Sequence, residues 1–203
     1  MTDALKKPLI SLIVIFVIGT AADIGTKRWA HHALLADTFH ERTDHFPTCG
    51  SAQEESLRSR FVFQNSRPIT VVPNLFNFRY VENCASAFNL MGNMPEAFRF
   101  PFFLVISILA CFIIPYMYTK TPRDQILMIY ALPFVLTGAL GNLIDRMVYR
   151  YVIDFVDWYV VIGGKEYHWP TFNVADAAIV IGIGLMILQL IKGGDSMAEG
   201  KPS

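Results

Sequence analysis

Four stretches of this chain are each apolar for long enough to cross a hydrocarbon core, which takes about 20 residues in helical form. They run from Pro8 to Thr26, from Phe100 to Thr119, from Gln125 to Ile144, and through a fourth stretch that is uncharged from Ala177 to Ile191. The fourth reaches full length only if it begins near Phe172 and takes Asp176 with it. Backbone N–H and C=O groups find no water in lipid, so such segments are expected to be helices. The predicted fold is a membrane all-α bundle of four transmembrane helices, over about 8–26, 100–119, 125–144 and 172–191. A long connection, 28–99, and a second one, 145–171, lie on the same side. Composition agrees, since 53% of the 203 residues are hydrophobic against roughly 45–50% in soluble domains.

Charge sets the orientation. Lys6 and Lys7 precede the first span, Lys120 and Arg123 sit in the short second connection, and Lys192 follows the fourth. Basic residues favour the cytoplasmic side, which places both termini there. Trp29, Trp158 and Trp169 then fall next to the outer face, as an interfacial aromatic belt does. The first segment also reads as a signal peptide, because an apolar core after two lysines ends in Gly19, Thr20, Ala21 and Ala22. Three further spans favour a retained anchor. Seventeen basic and seventeen acidic residues give no net charge, and without a basic block no nucleic-acid partner is expected. No internal repeat is visible, which argues against a transporter built from inverted halves.

The long connection has two textures. His31 to Arg60 reads as a solvated loop with one short helix. Phe61 to Phe88 carries short aromatic and apolar runs broken by Pro68, Pro73 and Asn74. That pattern predicts two or three strands, a small β-sheet element resting on the outer membrane surface. Cys49 and Cys84 flank a polar stretch and can pair if it faces an oxidising compartment.

Acids are costly in lipid, about 2.5 to 3.5 kcal/mol for Asp at a helix centre, so those at a span are candidates for function. Asp23, Asp145, Asp154 and Asp176 qualify, and all four converge on the outer end. Helical spacing puts Gly138, Asn142, Asp145 and Arg146 on one face, and Asn173 beside Asp176. Asp23 and Lys27, at i and i+4, are placed to form an ion pair; capping and pinning of helix ends explains several of these residues equally well. Asp154 and Asp176 have no basic partner in their own segments. Two such carboxyls brought together in an apolar rim share one proton. One then activates water while the other protonates a carbonyl oxygen. Asp157, three residues beyond Asp154, competes with it for that role. No metal site or cofactor is expected, since no His-Glu-x-x-His pattern occurs, and His168 reads as interfacial. A proton- or ion-binding transport protein using the same acids is the alternative function.

Five motifs in order carry a resemblance: Ala-Asp-Ile-Gly-Thr-Lys from Ala22, which holds Asp23 and Lys27, Asn-Cys-Ala-Ser-Ala-Phe from Asn83, Gly-Asn-Leu-Ile-Asp-Arg from Gly141, Val-Ile-Asp-Phe-Val-Asp from Val152, and Trp-Pro-Thr-Phe-Asn-Val-Ala-Asp from Trp169. Together they resemble the lipoprotein signal peptidase (signal peptidase II) family over nearly the whole chain. The resemblance implies an aspartic endopeptidase with Asp154 and Asp176 catalytic, and with Asp23, Lys27, Asn83, Gly138, Asn142, Asp145, Arg146, Asn173 and Ala175 supporting the site. It implies prolipoproteins carrying diacylglycerol as substrates, cut before the lipidated cysteine, and globomycin-type cyclic peptides as inhibitors. Membrane lipids are then partners, a monomer is expected, and the location is the inner membrane with the site toward the periplasm. Two features depart from the family pattern: Ala85 stands where Gly is usual, and the 31–60 loop is longer than typical.

Overall fold

A computed structural model describes residues 3–35, 59, 62–63, 65–84 and 96–198. Cys49, Ala85 and most of the 31–60 loop lie outside the described residues. Among the described residues the long helices are α1 (Asp3–Ala33), α2 (Glu96–Lys120), α3 (Ile126–Tyr149) and α4 (Val174–Ala198). Among the described residues, three helical stretches are long and apolar enough to cross a membrane: Phe98–Lys120, Ile126–Tyr149 and Val174–Lys192. α3 is the central helix, packed against α1, α2 and α4.

Two helices outrun their apolar stretches for the same reason. α1 continues through Asp23 and Lys27 to Ala33, and α3 continues past Ile144 through Asp145 and Arg146. Charges end a span only when they face lipid, and these are turned inward: Asp23, Lys27 and Asp145 are all buried. Beyond Lys27 the last turns of α1 carry Ala30 into an apolar core with Leu34, Tyr80, Tyr151, Ile153 and Phe155. α3 stops at Arg150, which takes a left-handed conformation (φ 68°) and donates its N–H to the Arg146 carbonyl.

The sheet differs from its predicted extent. β1 (Ile69–Val72) and β2 (Phe76–Asn83) fall within 61–88, but two more strands come from the 145–171 connection, β3 (Val152–Ile162) and β4 (Lys165–His168). The order is β1-β2-β3-β4, every pair antiparallel. β3 hid in the sequence because Tyr151 to Phe155 are buried, so no polar-apolar alternation marks it. Gly163 and Gly164 close the β3–β4 hairpin with φ of 61° and 79°, the backbone that a two-residue turn between twisted strands requires. Its exposed apolar side carries Trp158, Val160, Ile162, Tyr167 and Trp169.

α3 and α4 approach closely along glycines. A Cβ on Gly182 would lie 2.8 Å from the Ala131 carbonyl oxygen and 3.0 Å from the Val135 nitrogen, whereas Gly184 faces open space. Backbone atoms cannot step aside, so Gly182→Ala is expected to cost about 1–3 kcal/mol. Gly184→Ala is expected to be neutral or stabilising by up to about 1 kcal/mol. Thermal unfolding in detergent checks the pair, and equal midpoints would sink this packing account.

Candidate active site

The site is built on the N-terminus of α4. The first backbone N–H groups of a helix lack intrahelical partners. Here Asn173 caps them: its Oδ1 accepts the N–H of Asp176 at 2.9 Å, while Asp176 Oδ2 accepts the N–H of Asn173 at 3.3 Å. That reciprocal pair is a capping box made with Asn and Asp. A third donor, the N–H of Ala175, goes to Asp23 Oδ1 of α1 at 2.8 Å. Asp176 therefore sits where the helix dipole favours negative charge.

Lys27 supplies the compensating cation. Its ammonium lies 2.9 Å from Asp23 Oδ2, 3.0 Å from Asp145 Oδ2 and 3.1 Å from Asn142 Oδ1. The side chain is 2% exposed, and all three of its donors have oxygen partners. Asp145 Oδ2 also accepts the N–H of Ile153, which ties α3 to β3 at 3.0 Å. Asn142 passes the order on, because its Oδ1 faces Lys27 and its Nδ2 must therefore donate to Asp176 Oδ1, at 2.8 Å.

Asp154 comes from β3. Its Oδ2 accepts Asn83 Nδ2 at 2.8 Å and its Oδ1 accepts Asn173 Nδ2 at 2.7 Å. A bulge in β2, between Phe78 and Val81, lies opposite the Asp154–Val156 stretch. It aims the end of β2, and hence Asn83, at the acid. Asp154 is 1% exposed. Burial holds its carboxyl well above the usual carboxylate range, reinforced by the nearby negative charge of Asp176 and opposed by the bonds from Asn83 and Asn173 and the charge of Lys27. Asp176 is only half-buried.

Asp157 does not join this group. Three residues along a strand is an odd step, so it points to the opposite face. There it holds His168 Nδ1 at 2.7 Å and Arg79 Nε at 3.5 Å. His168, read from the sequence as interfacial, is thus hydrogen-bonded into a polar cluster with Asp157. Every other expected site residue lies at the α4 end. Gly138 and Gly141 leave no room for a Cβ against the Ala175 carbonyl and the Asp23 carboxylate, respectively, and Ala175 is wholly buried between the helices. Arg146 donates to the Asn142 carbonyl at 3.2 Å and lies over the Phe103 ring at 5.4 Å. Sequence reasoning missed Ile153 and Phe172, which act through backbone atoms and leave no side-chain signal. Phe172 exchanges backbone hydrogen bonds with Val156, at 2.9 and 3.2 Å. Cys84, next to Asn83, is disulfide-bonded, while Cys111 is free.

Apolar helices that deliver two amide-held carboxyls to one end define a multi-pass membrane protein with a two-carboxyl site. The family model described as signal peptidase (SPase) II matches residues 13–192. The chain belongs to that family and is a membrane peptidase. A lipoprotein signal peptidase of Anaeromyxobacter sp. is 37% identical over 93% of this chain and 88% of its own length. One from Alteromonas mediterranea is 44% identical over 64% of this chain and 69% of its own. Among solved structures, a bacterial membrane enzyme determined in meso at 2.3 Å superposes with a TM-score of 0.67 at 24% identity, covering 95% of this chain and 92% of that one. A second, at 1.9 Å, gives a TM-score of 0.59 at 25% identity, over 90% and 93%.

Removing the cation tests the network. Lys27→Met keeps the volume but strands Asp23 and Asp145 as buried unpaired charges, so it is expected to destabilise by about 3–5 kcal/mol. An unfolding midpoint equal to that of the wild type would show that Lys27 does not hold this end together.

Proposed function

We propose that the chain removes signal peptides from diacylglyceryl-modified prolipoproteins, cutting before the lipidated cysteine, with Asp154 and Asp176 as the catalytic pair. The observation that carries the pair is Asn173, which holds both acids at once, Asp154 by its side-chain amide and Asp176 by its backbone N–H. Asp154, buried and pushed up, keeps the shared proton. Asp176, half-buried on the helix N-terminus, is the ionised base.

Hydrolysis then balances. Asp176 takes a proton from water as the water oxygen attacks the scissile carbonyl carbon, and Asp154 gives its proton to the carbonyl oxygen. The resulting gem-diol collapses: the C–N bond breaks, the leaving nitrogen takes the proton held by Asp176, and the gem-diol hydroxyl returns one to Asp154. Asn83, Asn142 and Asn173 orient the carboxyls, and Asp23, Lys27 and Asp145 hold the frame. Globomycin-type cyclic peptides block this site in the proposed reading. Membership in a peptidase family leaves the transport alternative without support.

Four spans are proposed, α1 included, in the inner membrane, with the site toward the periplasm and the protein acting as a monomer. Two features support that side. A disulfide at Cys84 belongs in an oxidising compartment, and the apolar side of the β3–β4 hairpin, with Trp158, Tyr167 and Trp169, fits an interfacial position.

Asp154→Asn and Asp176→Asn are each expected to abolish cleavage of a diacylglyceryl-modified precursor in proteoliposomes. Wild-type rates in both would refute the pair. The wild-type pH profile should be bell-shaped. Acid removes the base by protonating Asp176, and alkali removes the acid by ionising Asp154. Because the carboxyl of Asp154 is raised, the alkaline limb should lie above the ordinary Asp value of about 3.9. A rate that has already lost its acid form near that pH would contradict the assignment. For orientation, a protease site inserted between Gly163 and Gly164 should be cut from outside in spheroplasts, and one inserted after Thr121 should be protected. The reverse result would invert the topology.

A further inference from the structure

Asp157 lies outside the catalytic pair, yet it touches or belongs to the three segments that carry the groups bonded to Asp154. It belongs to β3, where it is 1% exposed. From there it reaches Arg79 Nε at 3.5 Å and Asn77 Nδ2 at 3.5 Å, both on β2, and His168 Nδ1 at 2.7 Å, the last residue of β4. β2 ends in Asn83, β3 carries Asp154 on its other face, and the chain leaving β4 reaches Asn173 five residues later. These three segments deliver every group bonded to Asp154.

The exit from β4 needs such a hold. Between His168 and Phe172 the Trp169 N–H donates to the Trp158 carbonyl of β3, at 2.7 Å, and Pro170 has no N–H to give. The His168 ring is fixed further by stacking on Tyr159, with centroids 5.1 Å apart, and by Glu166 Oε2 at 3.2 Å from Nε2.

We propose that the Asp157–His168 pair is a positioning brace that sets Asn173 and Asp176 against Asp154. This rests on the peptidase reading given above. A contact that only stabilised the sheet would affect folding, whereas a brace acts on the geometry of the reacting groups, where a displacement of about 1 Å costs up to about 100-fold in rate. The role belongs to the Nδ1–H donor, which an Asn amide can replace and a Gln amide, one carbon longer, cannot.

The test uses the full chain in proteoliposomes with a diacylglyceryl-modified precursor, each variant normalised to folded protein. His168→Ala and His168→Gln are expected to lower kcat about tenfold with KM changed less than about twofold, while His168→Asn stays within about twofold of wild type. Wild-type kcat in His168→Ala, or His168→Asn as slow as His168→Gln, would overturn the brace. If His168→Ala does not fold, the Asn and Gln variants decide alone. Asp154→Asn serves as the control: its inactivity alongside a wild-type His168→Ala removes the brace and leaves the peptidase reading intact, whereas its full activity removes both.

Discussion

The buried ammonium of Lys27 is the constraint on which the rest of this protein depends. A lysine 2% exposed among apolar helices is tolerable only if every donor is met and its charge balanced. Asp23 and Asp145 balance it from α1 and α3, and Asn142 takes the third bond. Each partner also bonds elsewhere: Asp23 through Oδ1 to the α4 N-terminus, Asp145 through the same Oδ2 to the Ile153 N–H, and Asn142 through Nδ2 to Asp176. One cation thereby fixes three helices and a strand against one another at the end where the acids stand.

That frame makes two identical side chains unequal. Asp154 is buried on β3, and burial disfavours its ionised form more than the amide bonds from Asn83 and Asn173 favour it. Asp176 is half-buried and lies on a helix N-terminus, whose dipole favours the anion. In the proposed peptidase reading these different surroundings divide the acid and base roles, as paired acids do elsewhere. The division follows from placement, not from any difference in residue type.

The sheet works as a jig. Its strands come from distant parts of the chain, with α2 and α3 intervening between β2 and β3. Pairing them brings Asn83 beside Asp154, 71 residues away. Alternation along β3 then separates tasks by face: Asp154 faces the helix ends, and Asp157 faces a polar cluster with Arg79 and His168. The Phe172–Val156 backbone bridge carries the same strand across to the start of α4.

By itself the sequence determined the apolar helices, their approximate limits and the gathering of acids at one end, because hydrophobic length and the cost of charge in lipid are local properties. It also determined the i, i+4 pairing of Asp23 with Lys27 and the Asn173–Asp176 neighbourhood, which helical spacing alone implies. Physical reading left Asp154 and Asp157 equivalent, and resemblance was needed to choose. Only the tertiary structure separated them, since which face of β3 turns toward the helices depends on its register with β2. Tertiary structure likewise decided that Asp23, Lys27 and Asp145 lie inside their helices instead of ending them, that 145–171 is largely a hairpin, and that His168 holds Asp157. Each of these is a pairing across distant segments, and a linear pattern carries no record of which partner a buried charge will find.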